Sequence, residues 1–372
     1  MNLISKVLPA IPRKVFGEVW TAQDNVRRWE KVAMSGTGQH QLALTSTIGS
    51  DLKQLYVSSD YGTTWTAKEP QRQYRDIRLS YKGEVQIALE HEPVAGRIYV
   101  SRDFGNTWTP KGPDLSLGQI FYFRYSAISL DGQVIMATTG EYVFRSLDFG
   151  ETWIESTNKP WYFAGSAISG ISASINCQNQ VILAGNSIFI SSDYGATWST
   201  RKLYIWYALQ PVISSSGQIQ LLFGREDQFQ PLPQINASTD FGNTWVRKEY
   251  ITTRAWKKLV ISADGTRAAG LVGWQEIFVS NNSANTWVNK FTLPVRDGLS
   301  LLEMSLDGKT LIAGNAFEIF VSTDFGENWA LKYAEPTPAT AVFTDAKLSF
   351  DGTRATAGLT AGRIYTAGRT RI

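Results

Sequence analysis

The chain has 372 residues, with 36 basic and 33 acidic side chains and a net charge of +3. That balance offers no concentrated basic face for nucleic acid, and no stretch approaches the roughly 18 apolar residues of a membrane-spanning helix. Cys177 is the only cysteine and His40 and His91 are the only histidines, so no internal disulfide and no histidine-rich metal site is expected, and no cofactor is implied.

The N-terminus, Met1-Asn2-Leu3-Ile4-Ser5-Lys6, lacks a long apolar core, and Pro9 and Pro12 interrupt the next few residues, so no secretory signal is read there. Phe16-Gly17-Glu18-Val19-Trp20 then keeps the Gly and Trp of an octapeptide that recurs downstream. Full copies are Ser58-Ser-Asp-Tyr-Gly-Thr-Thr-Trp65, Ser101-Arg-Asp-Phe-Gly-Asn-Thr-Trp108 and Ser146-Leu-Asp-Phe-Gly-Glu-Thr-Trp153. They continue as Ser191-Ser-Asp-Tyr-Gly-Ala-Thr-Trp198, Ser238-Thr-Asp-Phe-Gly-Asn-Thr-Trp245 and Ser322-Thr-Asp-Phe-Gly-Glu-Asn-Trp329. One worn copy, Ser280-Asn-Asn-Ser-Ala-Asn-Thr-Trp287, carries Asn282 and Ala284 in place of Asp and Gly. Successive starts lie 43, 45, 45, 47, 42 and 42 residues apart. A period in the forties marks a propeller or solenoid array.

The octapeptide reads as a tight turn. Its Asp can accept bonds from the turn's own amides, its Gly supplies a left-handed position, and its Trp buries a large ring between sheets. Ahead of each copy, alternating apolar runs flank Asp-Gly pairs such as Asp131-Gly132, Asp264-Gly265, Asp307-Gly308 and Asp351-Gly352, a hairpin signature. Each unit is therefore predicted to be a four-stranded antiparallel sheet, strands A to D, with the octapeptide between C and D. Near the C-terminus, Gly362-Arg-Ile-Tyr365 repeats Gly96-Arg-Ile-Tyr99, the strand that precedes a turn. The last unit then lacks strand D, which the segment from Val19 to Ala22 can supply. The expected fold is all-β, one closed β-propeller over residues 1–372 with about eight blades, the last closed by the N-terminal strand; seven blades is the alternative. The approximate blades are 21–65, 66–108, 109–153, 154–198, 199–245, 246–287, 288–329, and 330–372 with 1–20. Ring closure removes the exposed edges of a linear array.

The octapeptide resembles the Asp-box, or bacterial neuraminidase repeat, S-x-D-x-G-x-T-W, and the likeness spans essentially the whole chain. The resemblance implies that the box is the turn between strands three and four of a blade. It assigns Asp60, Asp103, Asp148, Asp193, Asp240 and Asp324 a structural role. Sialidases are similar in repeat but have six blades, an Arg-Ile-Pro motif, an arginine triad and a Tyr–Glu pair; here the nearest match is Ile11-Pro12-Arg13, in the wrong order. Photosystem assembly factors, sorting receptors and adhesins carry similar propellers, but the sorting receptors are cysteine-rich and the assembly factors carry an export signal. The plain repeats look most like phage and bacterial repeat proteins.

Antiparallel order puts A–B turns and boxes on one face and B–C and D–A loops on the other, where function concentrates in variable loops. Arg27, Arg72 and Arg254 share one register at the D–A connections, and so do Trp29, Tyr74, Phe123, Trp256 and Phe343. Such a ring suits glycan stacking with planar cationic donors, but a shared register points first to packing, with each Arg covering a ring. Off-register Trp161, Tyr162, Tyr204, Trp206 and Trp274, with Arg225 in the longest insertion (Phe223 to Gln234), are the freer ligand candidates. Carboxylates for glycoside hydrolysis would come from Asp76, Glu90, Glu226, Asp227 or Asp297, but no pair stands out. The reading is a non-enzymatic binding or structural propeller in a virion, tail fibre or cell-surface setting. Its expected partners are a glycan or other virion or surface proteins, within a homo-oligomer or larger assembly, without nucleic acid or membrane insertion. A sialidase-like glycan-processing enzyme is the alternative.

Overall fold

A computed structural model describes residues 16–368, apart from 18, 48, 92–95, 114–120, 162–166, 203–210, 225–233, 249–255, 274, 294–297, 336–341 and 361. The repeat pattern becomes strands where apolar alternation predicts them. Six sheets have four antiparallel strands each, in sequence order from one side to the other. A seventh has seven strands because its central strand, Trp20–Met34, serves two units. The first part of that strand pairs with Gly362–Gly368, with Trp20 opposite Ala367 and Ala22 opposite Tyr365. Its second part pairs with Gln41–Ser46, with Val32 opposite Ala43. The N-terminal strand thus completes the last unit, as expected, and then runs on as the first strand of the next.

Closure is also written in the backbone of the A–B turns. The residue after each strand-A serine donates its amide to the equivalent carbonyl of the next unit. The series runs Gly36 to Tyr81, Tyr81 to Leu130, Leu130 to Ile175 and Ile175 to Ser215. It continues Ser215 to Ala263, Ala263 to Leu306, Leu306 to Phe350, and Phe350 back to Gly36. All of these N–H···O distances lie between 2.7 and 2.9 Å. Eight four-stranded units, carried by seven hydrogen-bonded sheets, therefore form one ring. Within every turn the serine hydroxyl also accepts an amide five residues on, from Val85 to Ser80 and from Val134 to Ser129 for example. Seven turns place Gly at the left-handed third position after the serine; Cys177, at φ 58°, holds it in the fourth unit.

The core lies between units. Val57, Tyr74, Ile77, Ala88 and Tyr99 pack across the first and second units, and Ala269, Ile277, Leu302, Leu311 and Phe320 across the sixth and seventh. The worn N-terminal turn takes its place in the same scheme: Phe16 and Trp20 are buried with Val321 of the seventh unit. Gly17 has φ +81° and no room for a side chain against that valine without displacing it.

Candidate functional site

The box face is consumed by its own hydrogen bonds. In the first box the Ser58 hydroxyl donates to Asp60 Oδ1 at 2.8 Å. Thr64 donates its amide to the same oxygen at 2.9 Å and its hydroxyl to Oδ2 at 2.6 Å. Trp65 Nε1 closes the turn on the Gly62 carbonyl at 2.9 Å. Asp103, Asp148, Asp193, Asp240 and Asp324 repeat this arrangement. Partial burial pushes these carboxyls up, but the bonds from Thr or Asn outweigh it and hold all six below the usual carboxylate range. The aromatic amide of each box also donates to the A–B turn of its own unit, as Tyr61 does to Gln39 and Phe104 to Glu84. Box and A–B turn are one structural layer.

On the opposite face the structure moves the aromatic candidates inward. Trp29 and Tyr74 are fully buried and Trp256 is 2% exposed. Trp29 lies 5.5 Å from the ring of Trp65, and Trp256 lies 5.0 Å from that of Trp287. Trp161, read as an off-register ligand candidate, is also fully buried. Its Nε1 donates to the Glu141 carbonyl, and its ring meets Trp198 edge-on at 5.7 Å. It does for the fourth unit what Trp29 does for the first, filling space that Ile168 at the register position leaves. These four rings offer no open face to a ligand: for Trp29, Tyr74 and Trp256 that is the packing their shared register points to, and for Trp161 it corrects the reading as a ligand candidate. Arg27 and Arg72 sit 4.6 Å over Tyr56 and Tyr99 and pair with Asp24 and Glu90 at 3.2 Å, so they too are engaged. Tyr162, Tyr204, Trp206, Trp274, Arg225 and Arg254 lie outside the described residues, as do Glu226, Asp227 and Asp297.

What the structure does assemble on this side is a cleft of 440 Å³ between the first three units, with Arg75 and Arg124 at its mouth. A β-bulge recurs in strand A of five units, for example between Tyr74 and Asp76 and between Trp256 and Lys258. In the second unit the extra residue lines the cleft while the aromatic before it, Tyr74, is buried. Arg75 is such a residue, and Arg124 occupies the same column in the third unit; both are exposed. Below them Asp76 is 1% exposed. It accepts the Ser126 amide at 2.9 Å and hydroxyl at 2.6 Å, and pairs with Lys31 at 2.7 Å and Arg78 at 3.4 Å. Burial pushes the Asp76 carboxyl up, but the Arg78 and Lys31 charges outweigh it and hold it below its ordinary value. Asp345 makes the same latch in the last unit, accepting the Val32 amide of the next strand A at 3.0 Å. Asp76 and Glu90, both carboxylate candidates, are thus buried and ion-paired. His91 lies on the cleft wall, its Nδ1 3.1 Å from the Phe123 carbonyl and its ring 5.1 Å from Tyr122. Lys31, Arg75, Arg78, His91 and Arg124 were not singled out from sequence. The available signal was the column one residue beyond the register aromatics, which reads Glu30, Arg75, Arg124, Lys257 and Thr344.

No protein-family model matches the chain, and no curated protein matches it in sequence. Solved structures do match in shape. The C-terminal WD40 domain of Sif2 superposes with a TM-score of 0.68 at 9% identity, over 95% of this chain and 99% of that one. YCF48 bound to a D1 peptide gives 0.57 at 16% identity over the whole of both chains. A GH74 xyloglucanase from Xanthomonas campestris gives 0.53 at 11% identity, over 91% of this chain and 65% of the enzyme. At these identities the likeness shows the fold, and the fold is a β-propeller whose neighbours include both enzymes and non-enzymes.

Proposed function

We propose that this chain is a non-enzymatic recognition propeller that holds a partner protein against the face built by its D–A and B–C loops. The observation that carries the reading is the contrast in use of polar groups. On one face the box carboxylates and turn amides are satisfied within the fold. On the other, Arg75 and Arg124 stand exposed over a cleft whose buried carboxylate is already neutralised by Lys31 and Arg78. Function on loops held by a rigid frame is the general pattern. The peptide named in the YCF48 structure supports a protein partner for a propeller of this shape. The setting we propose is a virion or cell-surface attachment or assembly apparatus, in line with the Asp-box resemblance. A photo-crosslinker at exposed Tyr122, beside the cleft, should trap the partner, whereas one at Lys309 in an A–B turn should not. Trapping only from Lys309 would reverse the faces. Turnover of a glycoside by the intact chain would replace recognition with catalysis.

A further inference from the structure

The cleft between the first three units has a specific charge state. Lys31, Arg75, Arg78 and Arg124 contribute four cations against the single carboxylate of Asp76, a formal surplus of three with His91 neutral. Fold stability accounts for two of the four: Lys31 and Arg78 balance the buried latch of Asp76. It does not account for Arg75 and Arg124. Among the described residues neither guanidinium makes a hydrogen bond or ion pair with a carboxylate, and both are exposed. Two such guanidiniums facing one cavity repel each other and persist most readily where a ligand completes them. The guanidinium fork matches the geometry of a planar carboxylate.

From this we infer that the cleft is an anion site, and that its ligand is an acidic peptide segment of a partner protein, with carboxylates docking on Arg75 and Arg124. This rests on the reading that the D–A and B–C face is the recognition face. Two observations favour a peptide over an acidic glycan. The register aromatics of these units, Trp29, Tyr74 and Phe123, are fully buried, so they give a pyranose no ring face to stack on. The aromatics at the cleft itself are engaged as well: Tyr122 has its ring against His91, and Tyr125 on the cleft wall is half-buried against the core around Trp161.

The test uses the full chain and a fluorescein-labelled hexaglutamate peptide read by anisotropy. Hexaserine is the neutral control and polygalacturonate the competing acidic glycan. Hexaglutamate should bind with an affinity that falls as salt rises, and Arg75→Glu/Arg124→Glu should weaken it about tenfold or more. Arg75→Gln/Arg124→Gln should weaken it less, which separates charge from folding. Lys82→Glu/Lys309→Glu makes the same change in net charge on the opposite face, where both lysines are exposed, and should leave binding within about twofold. Equal loss in the two charge-reversed variants would overturn the site, because binding would then follow net charge alone. Absence of hexaglutamate binding by the unaltered chain would overturn it as well. Binding of polygalacturonate without hexaglutamate would overturn the peptide assignment. If hexaglutamate fails while crosslinking from Tyr122 still traps a protein, the face reading survives and only the acidic-peptide inference falls.

Discussion

Replacing Gly105 by Ala separates two demands that the box glycine meets at once. Gly105 has φ +83°, and a Cβ built on it would lie 2.6 Å from Gln86 Oε1 and 2.8 Å from Val57 Cγ1 of the preceding unit. Left-handed backbone costs a residue with a Cβ about 1–2 kcal/mol. Overpacking against two buried groups adds about 1–3 kcal/mol. Gly49 is the control, since it has φ +79° and nothing within 4 Å of its would-be Cβ, so Gly49→Ala should show the backbone effect alone. With unfolding entropy scaled to a chain of this length, Gly105→Ala should lower Tm by about 3–6 °C and Gly49→Ala by about 1–3 °C. Both can be read by calorimetry or by circular dichroism at two wavelengths. The molecule already contains a version of the rescue. In the worn sixth box Ala284 replaces the glycine at φ 62°, and it is buried in one cluster with Ala237 and Ala268. Ala237 stands where Val57 stands in the first unit, just before the box serine, and Ala268 where Gln86 stands in the second. Small neighbours accompany the extra methyl. Adding Val57→Ala to Gly105→Ala should therefore cost less than the two single changes taken independently, a coupling of about 1 kcal/mol. If Gly105→Ala is no worse than Gly49→Ala, close approach between units is not what that glycine serves.

Asp148→Ala removes the acceptor for Thr152 N–H and O–H and should cost on the order of 1–3 kcal/mol, measured by chemical unfolding, with peptide binding intact in the folded fraction. The six box carboxyls have folded pKa values below their unfolded ones, so their stabilisation is fully present above the unfolded value. It is lost as pH falls through the folded values, and an acid titration should show Tm dropping below about pH 4; a flat Tm there would contradict the hydrogen-bond account. Burial lowers the His91 pKa, the Phe123 carbonyl opposes that, Arg75 and Arg124 lower it further, and Asp51 opposes them. A docked carboxylate would raise it, so hexaglutamate affinity should be highest at pH below the free-state value and fall as pH rises through the bound-state value. His91→Gln should flatten that profile. Burial pushes the Cys177 thiol up to about 12, so iodoacetamide should leave it unmodified in the native chain and alkylate it only on unfolding.

The octapeptide turns and the completion of the last unit were legible because their chemistry is local. Asp, Gly and Trp at fixed offsets specify a turn wherever they occur, and Gly362-Arg-Ile-Tyr365 repeats Gly96-Arg-Ile-Tyr99, the strand that precedes a box. The role of the aromatics was not. Whether Trp29 or Trp161 faces solvent depends on Trp65 or Trp198, 36 and 37 residues further on respectively. Being off register made Trp161 look like a loop residue, when it compensates for the smaller Ile168. The cleft was least legible of all. Its residues come from three units, and a bulge decides which of two adjacent side chains, Tyr74 or Arg75, points to the mouth. A one-residue offset of that kind leaves no local signature.

The shared strand also governs when the molecule can be finished. Gln23 meets Thr366 across a separation of 343 residues. Six sheets are built from strands close in sequence and can form as their segments leave the ribosome. The sheet that spans the joint cannot, because the stretch from Trp20 to Gln23 has no partner until Ile364 to Ala367 exists. Contacts of such long range are slow to form. Until they do, the edge of Gly362–Gly368 and the apolar face of Ala43 and Tyr56 that packs on Ile364 stand open to water and to other chains. Newly made protein should therefore pass through an open ring that is vulnerable to aggregation, and closing it is the step on which a chaperone would act.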